Sequence, residues 1–242
     1  MRERSIRLFV EPPIVAGASL TLDPARAHYL TRVMRCRSGE RIRVFDGVSG
    51  EWSAVVEPDK RTTRLLVEAR VRPQTAEPGP ILAIPPIRRT RLEWAVEKAT
   101  ELGAGAIQLV LCERAGEERS KAERLRALAI EAAEQSERLT VPEVRPLVPL
   151  GEWLDNRDAA VPVYIALERS DAPLLPAALV AHGPGDLLVG PEGGFGPSDR
   201  ALLAGAKNGV AVSLGPTILR AETAAIAGLA GLAMAPPGLG AG

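Results

Sequence analysis

Residues 187–196, LLVGPEGGFG, leave an apolar run through Gly190, Pro191, Glu192, Gly193 and Gly194. Three glycines and a proline after a buried strand make a loop whose backbone can come close to a ligand, because no Cβ stands in the way. In open α/β sheets ligands gather at the carboxyl ends of the strands. The same residues also suit a tight strand-to-helix turn with no ligand at all. The loop has neither the lysine and hydroxyl of a P-loop nor the spacing of a dinucleotide fingerprint, which disfavours phosphate chemistry. About two dozen residues from the start of this loop, residues 214–225 read LGPTILRAETAA: a second Leu-Gly-Pro turn, then Arg220, then Glu222 and Thr223 opening an alanine-rich helix. Glu222 in a first helical turn suits the helix dipole. Arg220 stands on the wrong side of that dipole and therefore answers to a partner charge, either Glu222 or a ligand.

To place two such turns together the chain needs a parallel sheet, and the pattern after residue 80 supplies one. Strand and helix signals alternate: apolar runs at 81–85, 106–111, 161–166, 186–189 and 210–214, with helical periodicity at 121–138, 198–207 and 222–234. Between the first two runs, Thr90 and Glu93 fit a capping box. Leu92, Ala95, Val96, Ala99 and Leu102 follow on one face, and Gly103 is the stop. Residues 7–10, 41–45, 51–56 and 63–71 read instead as short strands separated by glycine turns, with one helix from Asp23 and Pro24 to about Met34. Short strands that close on themselves suggest a small barrel. Residues 73–80, PQTAEPGP, have the composition of a linker, which predicts domains at 1–74 and 75–242.

Aromatic residues make up 3% of the chain, so nucleic-acid binding through rows of stacked rings is excluded. Charge is uneven. Residues 1–75 hold 14 Lys and Arg against 9 Asp and Glu, mostly as arginine, and the remainder holds 16 against 21. Arginine forks match phosphate, so the basic half suggests a nucleic-acid surface; a charge-guarded sheet edge accounts for it equally. The cysteines Cys36 and Cys112 and the histidines His28 and His182 are isolated, which predicts free thiols and no metal site. No apolar run nears the roughly 18 residues needed to span a bilayer and no signal peptide is evident at the start. A cytoplasmic protein without a membrane segment is expected.

Taken as a pair, LLVGPEGGFG and LGPTILRAETAA resemble the signature of the 16S ribosomal RNA (uracil-N3) methyltransferases of the SPOUT, or α/β-knot, superfamily. LEWAVEKATELGAGAIQLVLCER, IEAAEQSERLTVPEVRP and, near the start, RLFV and HYLTRVMRCRSGERIRVFDG extend the likeness over nearly the whole chain. The turn before the first long helix, PPIRRTRLEW, departs from the pattern: arginines replace an expected lysine, so no lysine role transfers.

The resemblance implies an N-terminal PUA-like barrel that binds RNA and a C-terminal α/β trefoil-knot domain that works as a homodimer on 16S ribosomal RNA of the small ribosomal subunit. S-adenosylmethionine would be held by Leu167, by Gly190, Pro191, Glu192 and Gly193, and by Leu214, Gly215, Ile218 and Leu219. Apolar walls and backbone groups suffice for a neutral adenine. Uracil N3 carries a weakly acidic proton, so methylation there needs a stabilised anion. Arg220 would supply the positive charge, and Glu222 would orient Arg220 or take the proton. Arg7, His28, Arg32, Arg35, Arg88 and Arg89 are the candidate RNA contacts, although His28 equally suits a packing role. Glu131, Gln135 and Arg138, spaced along one helical face, would line the cleft, meet a second subunit or face solvent. A non-catalytic RNA binder, or methyl transfer to a ribose 2′-oxygen or a guanine, are the rival readings.

Overall fold

The computed structural model describes residues 6–58, 62–116 and 121–236. They fall into two units, Met1–Glu77 with Ala133–Val141, and Pro78–Ala132 with Pro142–Gly242. Inclusion of Ala133–Val141 in the first unit is a feature that a single boundary near residue 75 does not anticipate.

In the first unit β1 (Arg7–Phe9), β2 (Ser19–Thr21), β3 (Arg41–Phe45), β4 (Glu51–Pro58) and β5 (Thr63–Arg72) form one sheet in the order β1-β3-β4-β5-β2. β1 and β3 pair in parallel, and the β3–β4, β4–β5 and β5–β2 pairs are antiparallel. At the start of β5, Thr63, Leu65 and Val67 are buried while Arg64, Leu66 and Glu68 face outward, the period-2 pattern of a sheet wet on one side. Irregularities in the β4–β5 pairing near Trp52 mark where the sheet bends into a half-barrel around Leu30, Val44, Ala54, Val56 and Leu65. Asp23 caps α1 (Pro24–His28) by accepting hydrogen bonds from the amides of Ala25 and Arg26 at 2.9 and 3.0 Å. The expected helix does not continue to Met34 as an α-helix. Tyr29–Val33 widen into a π-helical turn, with the Met34 amide donating to Tyr29 O at 2.9 Å and Arg35 turning the chain at φ 57.

In the second unit β6 (Ile81–Ile84), β7 (Ala106–Leu111), β8 (Glu143–Pro149), β9 (Val163–Ala166), β10 (Asp186–Leu188) and β11 (Gly209–Val212) make a wholly parallel sheet, ordered β11-β9-β10-β6-β7-β8. β10 is buried along its length and lies between β9 and β6, both of which precede it in the chain. The helices are α2 (Arg89–Glu101), α3 (Ala122–Gln135), whose residues from Ala133 onward belong to the first unit, α4 (Leu150–Asn156), α5 (Leu175–His182), α6 (Pro197–Ala204) and α7 (Ala221–Ala233). α7 packs on α2, β6 and β10, and comes so near the sheet that a Cβ at Gly228 would lie 2.5 Å from Leu187 Cδ2.

The Thr90–Glu93 capping box does not form. α2 is capped by Arg88 without a side-chain bond, and Glu93 pairs with Arg89 and Arg124 instead. Both cysteines are free and buried. Burial and the nearby Asp199 carboxylate push the Cys112 thiol up to about 12, so it stays protonated at neutral pH. Among the described residues no cluster of His, Cys, Asp and Glu has the make-up of a metal site, and no helix is long and apolar enough to cross a membrane.

Candidate active site

A cleft of about 580 Å³ opens in the second unit where β9, β10 and β11 end. Three loops line it. The first contributes Leu167 and Glu168, the second Gly190, Pro191, Glu192, Gly194 and Phe195, and the third Leu214, Gly215, Ile218, Leu219 and Arg220. Its volume is that of a small-molecule pocket.

The second loop is anchored from below. Gly194, at φ 68, donates to Pro191 O at 2.9 Å, closing the turn, and Arg114 Nη1 donates to Gly193 O at 3.0 Å. A Cβ at Gly190 would stand 3.1 Å from the buried Phe195 ring, and one at Gly196 would collide with the Glu113 carboxylate. That carboxylate accepts from the Ser198 amide at 2.9 Å, and Asp199 accepts from the amides of Gly196 and Glu113, so the end of β7 holds the entry to α6.

In the third loop Ser213 Oγ donates to Gly215 O at 3.2 Å, and Gly215 sits at φ 127, a conformation that disfavours any side chain. Beyond it Ile218 lines the cleft and is 54% exposed. Arg220 takes the N-cap position of α7 in an extended conformation without capping it through its side chain. It is exposed, lines the cleft, and its guanidinium has no hydrogen bond or ion pair among the described residues. The partner charge that its position calls for is not Glu222. Glu222 Oε1 lies 3.5 Å from Arg91 Nε, its side chain is 9% exposed, and its buried Oε2 has no hydrogen-bond partner among the described residues. Arg91 Nη1 also donates to Glu192 Oε1 at 3.3 Å.

The structure thus brings together in one cleft Leu167, Gly190, Pro191, Glu192, Leu214, Gly215, Ile218, Leu219 and Arg220, and leaves Gly193 and Glu222 out of its lining. Among the candidate RNA contacts, Arg7 is corrected. Its side chain is 6% exposed, with Nε donating to Glu51 Oε1, Nη1 to the carbonyls of Ala133 and Glu134, and Nη2 to that of Arg138. The guanidinium also lies over the Phe45 ring, 4.4 Å from its centroid. Arg7 caps the end of α3 and has no exposed fork for a phosphate. His28, Arg32 and Arg35 are exposed around the π-helical turn and are unpaired among the described residues. Arg88 and Arg89 are exposed at the start of α2, and Arg89 is paired with Glu93. The face expected of Glu131, Gln135 and Arg138 is broken, because α3 ends at Gln135, Glu137 turns at φ 60, and Arg138 is buried near Glu77. Sequence reading missed Arg91 and Glu168. Arg91 reads as one more charge in a basic turn, and nothing in the pattern ties it to glutamates so distant in the chain.

Residues 77–233 match the family model described as RNA methyltransferase domain, and residues 22–65 match that described as RNA methyltransferase PUA domain. A half-barrel followed by a parallel sheet whose late strands end at glycine turns therefore defines the class: a PUA-like domain joined to a SPOUT-like α/β methyltransferase domain. The chain is 37% identical to ribosomal RNA small subunit methyltransferase E of Synechocystis sp., over 93% of this chain and 76% of that protein. It is 30% identical to the protein of the same name from Rickettsia conorii, over 93% of each. The crystal structure of a ribosomal RNA small subunit methyltransferase E from Neisseria gonorrhoeae bound to S-adenosyl methionine superposes with a TM-score of 0.79 at 29% identity, covering 94% of this chain and 96% of that one. The chain belongs to this family of RNA methyltransferases, the family of the proteins named ribosomal RNA small subunit methyltransferase E.

Proposed function

We propose that this protein transfers a methyl group from S-adenosylmethionine to N3 of a specific uridine in 16S ribosomal RNA of the small subunit, as a cytoplasmic, metal-free homodimer whose C-terminal chain is threaded as a trefoil knot. The observation that carries the chemistry is Arg220: a guanidinium unpaired among the described residues, lining a cleft built around two glycine turns. The likeness to relatives named for the small-subunit RNA, and to a structure solved with the donor bound, supports the substrate and cofactor.

The cleft fits the cofactor on its own features. Leu167, Leu214, Ile218 and Leu219 give apolar walls, and Gly190, Gly194 and Gly215 leave backbone groups unobstructed, which suits a flat, neutral adenine. When bound, the sulfonium supplies an electrophilic methyl group. Arg220 then does the work of the protein: its charge favours the uracil anion that develops as N3 loses its proton. Glu168 lines the same cleft and is unpaired among the described residues, so it is the carboxylate placed to receive that proton. Glu222, buried beside Arg91, positions rather than reacts. His28, Arg32, Arg35, Arg88 and Arg89 hold RNA phosphates.

The test is nucleoside mass spectrometry of 16S RNA from a strain lacking the protein, before and after incubation of its small subunits with purified enzyme and S-adenosylmethionine. 3-Methyluridine should appear only after incubation. A methyl group on ribose or guanine, or none, overturns the proposal.

A further inference from the structure

We infer that Arg91 is a positioning residue that clamps the two glycine turns of the cleft at a fixed separation. The inference rests on the reading that this cleft takes S-adenosylmethionine. Among the described residues, no hydrogen bond or ion pair joins the turn at 190–196 directly to the turn at 213–220. Arg91 makes the link from outside both. It projects from the first turn of α2, a 13-residue helix that packs along α7, and reaches Glu192 in the first glycine turn at 3.3 Å and Glu222 in the opening of α7 at 3.5 Å.

Three features make this a device rather than a chance surface pairing. A cation in a first helical turn is disfavoured by the helix dipole, so local helix stability does not explain Arg91. Glu222 is buried and, among the described residues, its Oε2 has no hydrogen-bond partner, so the Arg91 ion pair adds to the N-terminal dipole of α7 in compensating a desolvated carboxylate. A planar guanidinium can address two carboxylates along separate edges, which a lysine ammonium cannot do from the same position. Arg220 follows Gly215 and Pro216 on the chain that Glu222 pins, so the clamp also sets where the free guanidinium of the cleft stands.

The test compares wild type, Arg91→Lys, Arg91→Ala and Arg91→Ala with Glu222→Gln, in the full-length protein. Three readouts are taken: amide hydrogen exchange without ligand, calorimetric titration with S-adenosylmethionine, and steady-state methylation kinetics. Arg91→Ala should speed exchange about tenfold or more in peptides covering 189–196 and 214–224, with the β-strands of the sheet unchanged, and weaken cofactor binding about tenfold. Arg91→Lys should fall between, raising KM for the cofactor more than it lowers kcat. Glu222→Gln should restore part of the protection by removing the stranded charge. Unchanged exchange in either turn, or loosening spread evenly over the whole unit, overturns the clamp. Should Arg91→Ala fail to fold, the lysine variant decides by the same criteria. A wild type that takes up no cofactor, while Arg91→Ala still loosens both turns, removes the functional reading and leaves the clamp standing.

Discussion

Arg7 Nε donates to Glu51 Oε1 at 2.5 Å, with the two side chains 6% and 7% exposed, and the remaining edges of the same guanidinium close the carbonyl end of α3. An arginine that reads as a surface charge is thus an internal strut of the half-barrel unit. Arg7→Ala would leave the buried Glu51 carboxylate with the longer pairing to Arg72 at 3.9 Å and would uncap the helix, and should cost roughly 3 kcal/mol of stability. Urea unfolding measures this, and a loss below about 1 kcal/mol would show that the buried pair is dispensable.

Arg220 has the opposite character, exposed in the cleft and unpaired among the described residues. Arg220→Ala should lower turnover by about 10²–10³-fold, the scale of one lost electrostatic stabiliser, with cofactor affinity within about twofold and an unchanged melting temperature. Single-turnover methylation measures the rate. An alanine variant that turns over like wild type leaves Arg220 without a catalytic part.

Asp46 gives a pH dependence with a definite sign. Burial pushes its carboxyl up, but four hydrogen bonds, from the Ser49 hydroxyl and the amides of Ser49, Val48 and Ile14, outweigh that and hold it below the usual carboxylate value. A depressed folded pKa means that its stabilisation is present in full above about pH 4, the unfolded value, and is lost as pH falls through the lower folded value. The stability gap between wild type and Asp46→Asn should therefore shrink as pH falls from about 5 to 3. Denaturant midpoints across that range test it, and a constant gap counts against the assignment.

Arg32 and Arg35 stand exposed beside the π-helical turn. As phosphate contacts, each change to alanine should weaken binding of 16S RNA fragments and lower the slope of log K against log salt by about 1. Fluorescence anisotropy at several salt concentrations provides the slopes. Unchanged slopes in the double variant assign these arginines to solvent.

The sequence was most legible where periodicity is strong. β3 and β7 lie where their apolar patterns place them, and Asp23 and Pro24 start α1 as their chemistry requires. β8 escaped notice because Pro146 interrupts it, and the sheet tolerates that proline because β8 is an edge strand. α5 is apolar nearly throughout and offers no polar face to count against. In the cleft, the loops announce themselves by glycine content. The pairing of Arg91 with Glu192 and Glu222 does not, since side-chain partners from remote segments leave no mark in local spacing.

The sheet order has a consequence for how the second unit comes into being. β10 occupies the slot between β6 and β9, and its glycine turn follows at once, with the second turn arriving only after β11. During synthesis the ribosome exposes β6 through β9 while the middle of their sheet is still vacant, a gap that later residues must enter rather than extend. The cleft is accordingly among the later parts of the second unit to take shape, and a nascent chain halted before residue 186 holds the scaffold without two of the loops that line it.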